Sequence, residues 1–130
     1  MEEMAYVRRS NKSLADTVEA LQAAAAHANW TVLAIHDMKA RFNNKGFDWE
    51  CGLQIVEICN AKFATAMVEA NPYLALHLPC PVLVREDEHG VEVSVLRASY
   101  VDGLFPDTDF GDAPAGSEAG VTAIVDAAVA

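Results

Sequence analysis

Two cysteines and a histidine are the residues best suited to chemistry in this sequence. Cys59 lies at the expected end of one strand, directly before a helix start, and Cys80 opens a later strand, with His77 three residues before it. A helix N-terminus favours a thiolate through its dipole and its free amide donors. Two thiols and an imidazole are also soft to borderline ligands, so a transition metal held by Cys59, Cys80 and His77 is one reading. The other is plainer: free cysteine is among the most buried residue types and packs as a small hydrophobe. Neither cysteine has a second ligand at the close spacing of a zinc finger.

Two carboxylates come next. Glu57 falls in phase with Ile55 and Cys59 on a strand face that is otherwise apolar. A carboxylate buried there needs a partner and marks a pocket; at a sheet edge it would face solvent. Asp37 follows His36 at the end of an apolar strand, where adjacent side chains point to opposite faces and do not pair simply. Asp37 is the better site candidate of the two, against the ordinary role of a polar residue closing a strand.

Other templates are missing. There is no glycine-rich phosphate loop, nucleophile elbow or His-Glu-x-x-His. The acidic run Asp102, Asp107, Asp109 and Asp112 lacks the spacing and terminal Glu of a calcium loop and reads as solvated. With no catalytic constellation, the leading reading is a non-catalytic small-molecule-binding or sensing module with its pocket near Cys59, Asn60 and Cys80. A thiol-based redox or metal-handling protein is the alternative, and a structural interaction domain the third. No cofactor is required by the sequence.

These side chains must be positioned by a small α+β scaffold. Tyr6-Val7 starts a first strand. Ser13 caps a helix whose Leu14, Val18, Leu21 and Ala25 recur at helical spacing, with Asn29 as its stop. Residues 31–36 read as a strand buried on both faces; 37–48 is mixed, and 41–46 within it reads as a polar loop or a hairpin tip with Gly46 in a turn. A strand from Leu53 to Cys59 leads into a helix capped by Asn60 and ended by Asn71-Pro72. Residues 82–85 and 91–96 pair as a hairpin around Gly90. Residues 100–116 read as an irregular acidic loop, and 117–130 as a C-terminal helix. The order β-α-β-β-α-β-β-α implies one domain over 1–130, with a mixed or mostly antiparallel sheet and helices on one face.

Composition bounds the rest. At 130 residues, with 52% hydrophobic and 22% charged, the chain suits a single core. Nine basic residues against 19 acidic ones give a net charge of −10, which disfavours nucleic acid and anionic lipid as partners. The start Met1-Glu2-Glu3 lacks the basic and apolar pattern of a secretory signal, and three cysteines are no disulfide framework, so a cytoplasmic location is expected.

At Glu57-Ile58-Cys59-Asn60-Ala61-Lys62 and Leu78-Pro79-Cys80-Pro81-Val82, the chain resembles the domain-of-unknown-function family 302. Members carry a similar Cys-Asn-Pro step before a helix and a Leu-Pro-Cys step before a strand. Trp30, Val32-Leu33-Ala34 and Asp37 fit the same order, and the resemblance spans Tyr6 to Leu96, more loosely through the last helix. Ala61 stands where members usually have proline, which alters only the first helical turn, and the stretch from Asp102 to Asp112 is particular to this chain. The resemblance implies a compact α+β fold that commonly pairs as a homodimer. It implies no reaction.

Overall fold

The computed structural model describes residues 4–130. The chain forms β1 (Ala5–Ser10), α1 (Leu14–His27), β2 (Thr31–Asp37), α2 (Met38–Asn44) and β3 (Leu53–Cys59). It continues with α3 (Ala61–Ala70), a 3-10 helix (Pro72–His77), β4 (Cys80–Asp87) and β5 (Gly90–Leu96). A 3-10 turn (Ala98–Tyr100) runs into α4 (Val101–Leu104), and α5 (Ala113–Val129) ends the fold. The strands make one sheet in the order β1-β5-β4-β3-β2, antiparallel at every pairing. The α+β class and the element order are those expected.

Strand alternation decides which face is covered. Val56, Ile58, Val82, Val84, Val91, Val93 and Val95 are buried against Val18, Leu21 and Ala25 of α1 and Val121, Ile124 and Val125 of α5. Burial of this apolar surface is the main stabilising term. The intervening residues Ile55, Glu57, Leu83, Arg85, Glu92 and Ser94 lie on the opposite face and are only half-buried. On β3 the face holding Gln54, Val56 and Ile58 is therefore the covered one, and Glu57 belongs to the open one.

α1 joins the two edge strands, so it must cross the whole sheet. Its 14 residues span about 21 Å at a rise of ~1.5 Å each, and five strands are about 19 Å wide. Ser13 caps it, accepting from the Asp16 amide at 3.1 Å, and Asn29 takes positive φ (62°) beyond its end. α5 packs on α1 and ties back to β1. The Tyr6 hydroxyl donates to Asp126 at 2.6 Å, Arg8 donates to Asp126 at 2.8 Å, and Lys12 reaches the carbonyls of Ala128 and Ala130. Gly116 and Gly120, one turn apart on α5, let aromatic rings lie against the helix backbone. A Cβ at Gly116 would stand 2.6 Å from the Phe63 ring, and one at Gly120 2.9 Å from Trp30.

Three segments depart from the sequence reading. Among the described residues β2 is an edge strand, not one buried on both faces: it pairs only with β3, bulges between Val32 and Ala34, and leaves Leu33 53% exposed. An unbroken apolar run does not distinguish an edge strand from a central one. The mixed stretch after it forms α2, because Asp37 accepts from the Ala40 amide at 3.0 Å and caps a helix that takes in most of the expected loop 41–46; Gly46 does take a turn conformation (φ 92°). The expected irregular stretch 100–116 contains α4, and α5 starts at Ala113, not Ser117. Pro114 and Gly116 suggest a break, yet proline is well suited to the first turn of a helix.

Candidate functional site

Asn60 and Asn71 build the wall around the site. The Asn60 side chain accepts from the Lys62 amide at 3.1 Å and starts α3; Asn71 accepts from the Tyr73 amide at 3.0 Å and starts the 3-10 helix. Asn71 also donates to Thr108 at 3.0 Å, which fastens the segment after α4 to the end of α3. Met67, Leu74 and Phe110 form a second small core there, with Phe63, Leu78, Val101 and Phe105 packed on it. Phe105 meets Phe110 edge-on at 5.9 Å and His77 edge-on at 6.0 Å.

Between this second core and the sheet lies a cavity of about 250 Å³. It opens where β4 begins and β5 ends. Met67, Leu74, Leu78 and Val121 line its interior, and Leu96, Tyr100 and Leu104 stand at its exposed side. Its polar side chains are few: His77, Cys80, Arg97, Tyr100 and Ser117. Arg97 is held by Glu118 at 4.0 Å and lies 5.3 Å over the Tyr6 ring. Apolar walls with a few placed polar groups are the usual make-up of a small-molecule site.

Of the expected site residues, Cys80 and His77 reach this cavity and Cys59, Asn60, Glu57 and Asp37 do not. Cys59, Asn60 and Cys80 do come together, but around a crevice of only about 20 Å³, room for about one water. Of the three residues around which a pocket is expected, Cys59, Asn60 and Cys80, only Cys80 lines the larger cavity. Burial, with a smaller contribution from nearby Cys59, pushes the Cys80 thiol up to about 12. It is protonated at neutral pH, and the thiol form is a poor nucleophile. Among the described residues, no three His, Cys, Asp or Glu side chains gather closely enough to hold a metal ion, so Cys59, Cys80 and His77 do not make a ligand set.

Asp37 is occupied as the cap of α2. Glu57 has a partner that the sequence does not reveal. His36 Nε2 and Glu57 Oε1 lie 2.5 Å apart, on the open face of the sheet. The adjacent pair His36-Asp37 does not form, as strand geometry requires. Further along this face Arg9 grips Asp87 through two bonds of 2.8 and 2.7 Å, and Arg9 and Arg85 both reach Glu92 at 3.2 Å. The Arg9 guanidinium and the His89 amide hold the Asp87 carboxyl well below the usual carboxylate range. A second depression, about 520 Å³ and more open, runs past Trp49, Cys51, Arg85 and Glu88, but its Arg85 and Asp87 already belong to that ion-pair network.

Arg97, Leu96, Met67, Leu74 and Val121 are missed by sequence reasoning. Each is an unremarkable apolar or terminal residue of its own element, and only the tertiary fold gathers them.

Residues 6–128 match the sequence profile of the domain of unknown function DUF302. The chain belongs to that family. The DUF302 domain is similar to the crystal structure of the uncharacterized conserved protein DUF302 from Bacillus stearothermophilus, with a TM-score of 0.89 and 20% identity over 95% of this chain and 97% of that one. At that identity the likeness shows the fold alone. No curated protein matches the chain. Among the described residues of this DUF302 domain, no helix is long and apolar enough to cross a membrane.

Proposed function

We propose that this DUF302 domain is a small-molecule-binding or sensing module whose ligand enters the cavity beside Cys80 and His77. The observation that carries this reading is the cavity itself: about 250 Å³, walled by Met67, Leu74, Leu78 and Val121, with few polar groups. An apolar cavity of about 150 Å³ is large enough to take up benzene, so this one has room for a somewhat larger body. The neutral Cys80 thiol and the edge-on contact of His77 with Phe105 favour binding over thiol chemistry. The odd set of three cysteines supports the cytoplasm as the place of work.

The module works as a homodimer that pairs through the open sheet face. Support comes from charge. The chain carries −10 overall, yet this face sets Arg9, Arg85 and His36 against Asp87, Glu92 and Glu57, so self-repulsion is least there. Val7, Ile55 and Leu83 supply apolar surface between the paired charges.

The cavity is tested by adding 1-octanol to isotopically labelled protein and following the methyl signals of Met67, Leu74 and Val121. Saturable shifts at those methyls, lost in Ala98→Trp, which fills the entrance, are the expected result. Shifts that are absent, or that survive in Ala98→Trp, overturn the reading.

A further inference from the structure

We infer that the cavity takes a small neutral carbonyl compound, of the bulk of an aryl methyl ketone, whose oxygen accepts a hydrogen bond from Ser117. This rests on the cavity reading above and specifies the group that the cavity recognises.

Ser117 carries the buried hydroxyl that the fold leaves unused. Among the described residues the buried hydroxyls belong to Ser10, Thr17 and Ser117. Ser10 and Thr17 bond to each other at 2.7 Å. Ser117 is 8% exposed, and its side chain has no hydrogen-bond partner among the described residues. Serine and threonine inside a helix can return the hydroxyl to a carbonyl one turn back. Thr65 and Thr122 do so, at 2.6 and 2.8 Å, and Ser117 does not. Among the described residues no partnerless polar side-chain atom is fully sealed. The Ser117 oxygen therefore keeps a small accessible surface, and the spaces that Ser117 lines are the cavity and the crevice beside it. A buried polar group without a partner is costly. A ligand oxygen brought to the hydroxyl removes that cost.

The surroundings of Ser117 select against charge. Cavity and crevice share Met67, Leu78, Cys80 and Ser117; Arg97 and His77 line the cavity but not the crevice. An ionised group placed at this shared wall would lose its hydration and meet no counter-charge there. Hydrogen-bonding capacity narrows the class further. The Ser117 hydroxyl donates, and the protonated Cys80 thiol adds a weak donor on the same wall. A carbonyl oxygen accepts without bringing a hydrogen of its own. An alcohol brings one, for which Met67 and Leu78 offer no strong acceptor.

Size sets the body. Judged against benzene in about 150 Å³, a cavity of about 250 Å³ holds a phenyl ring with a short substituent.

The test uses three probes of similar shape: acetophenone, benzoate, and α-methylstyrene, in which a CH2 group replaces the carbonyl oxygen. Calorimetry and the infrared carbonyl band of acetophenone are the readouts. On the wild type that band should fall below its position in cyclohexane, and in Ser117→Ala it should return towards it. Ser117→Ala should weaken acetophenone by about three- to tenfold, the size of one neutral hydrogen bond, and leave α-methylstyrene as tight or tighter. Without a probe the variant should melt no lower than the wild type, because it loses a partnerless hydroxyl and alanine is the better helix former. Benzoate should bind more weakly than acetophenone. An unshifted band, an equal effect of Ser117→Ala on acetophenone and α-methylstyrene, or benzoate binding as tightly as acetophenone overturns the carbonyl inference and leaves the cavity reading standing. A lower melting temperature does the same, since the hydroxyl would then already serve the fold. Failure of all three probes to bind overturns both.

Discussion

Cys80 is held as a neutral thiol because the fold removes it from water, and the consequence lies on the alkaline side of the stability curve. In the unfolded chain a cysteine titrates near ~8.5; in the folded chain Cys80 keeps its proton up to about 12. Between those values the folded state binds the extra proton, so stability falls as pH rises, by at most about 1.4 kcal/mol per pH unit. Urea unfolding of the wild type and Cys80→Ala between pH 8 and 11 should show a shallower decline in the variant; parallel curves would contradict the assignment. Exposed Cys51 should react with a thiol reagent in the native protein well before Cys80 does. Asp87 acts at the opposite end. Its folded pKa is depressed by Arg9, so its contribution is complete above the ordinary carboxylate range near ~4 and is lost as pH falls below it. Asp87→Asn should therefore lower stability at pH 7 and flatten the acid limb. The pair is exposed, so the effect is small, and equal acid limbs would rule it out. At this scale the sequence reveals which residues are reactive types, not their surroundings. Glu57 reads either as a buried carboxylate in need of a partner or as one facing solvent, and His36 becomes its partner only through the pairing of β2 with β3.

Elements were legible where their signals are local. The cap at Ser13 and the apolar stripe behind it define α1, Asn60 and Asn71-Pro72 bound α3, and Gly90 marks the β4–β5 turn with φ of 116°. What escaped depends on neighbours distant in sequence. β2 is apolar enough for the core yet forms an edge, and α5 tolerates glycines because rings from elsewhere occupy the space beside them. Gly120 gives a test with an inverted sign. Replacing a mid-helix glycine by alanine ordinarily stabilises by about 0.5–1 kcal/mol. Here the added methyl would stand 2.9 Å from Trp30, and forcing a packed core to shift costs about 1–3 kcal/mol. Gly120→Ala should lower the melting temperature; a rise would show that the ring moves freely. Asp37→Ala should cost about 1 kcal/mol through loss of the α2 cap, measurable by chemical unfolding, whereas no change would mean that α2 contributes nothing to stability.

At the scale of the whole molecule, the covered and open faces of the sheet divide the work. The helix-covered face supplies the core, and the open face, with its paired charges, is the surface proposed to meet a second copy. Sedimentation of the wild type at micromolar concentration should give a dimer that Leu83→Glu converts to monomer, since a buried unpaired carboxylate is costly. A wild type that is monomeric throughout, or a Leu83→Glu variant that still pairs, would remove the proposed interface. The α+β class was readable from element order alone. The cavity was not, because its lining comes from α3, β4, β5, α4 and α5 together, and no stretch of sequence contains it.

The fastening of β1 to α5 through Tyr6, Arg8 and Asp126 also governs how the protein is made. Synthesis delivers β1 first and α5 last, so the earliest strand must wait for β5 before it can pair, and Val93, Val95 and Val84 have no complete cover until α5 leaves the ribosome. Contacts of such long sequence separation slow folding, and this domain closes only once α5 has been made. A chain stopped at residue 112 should emerge sticky and protease-sensitive despite containing every strand. The final helix is the step that turns a nascent sheet into a finished protein.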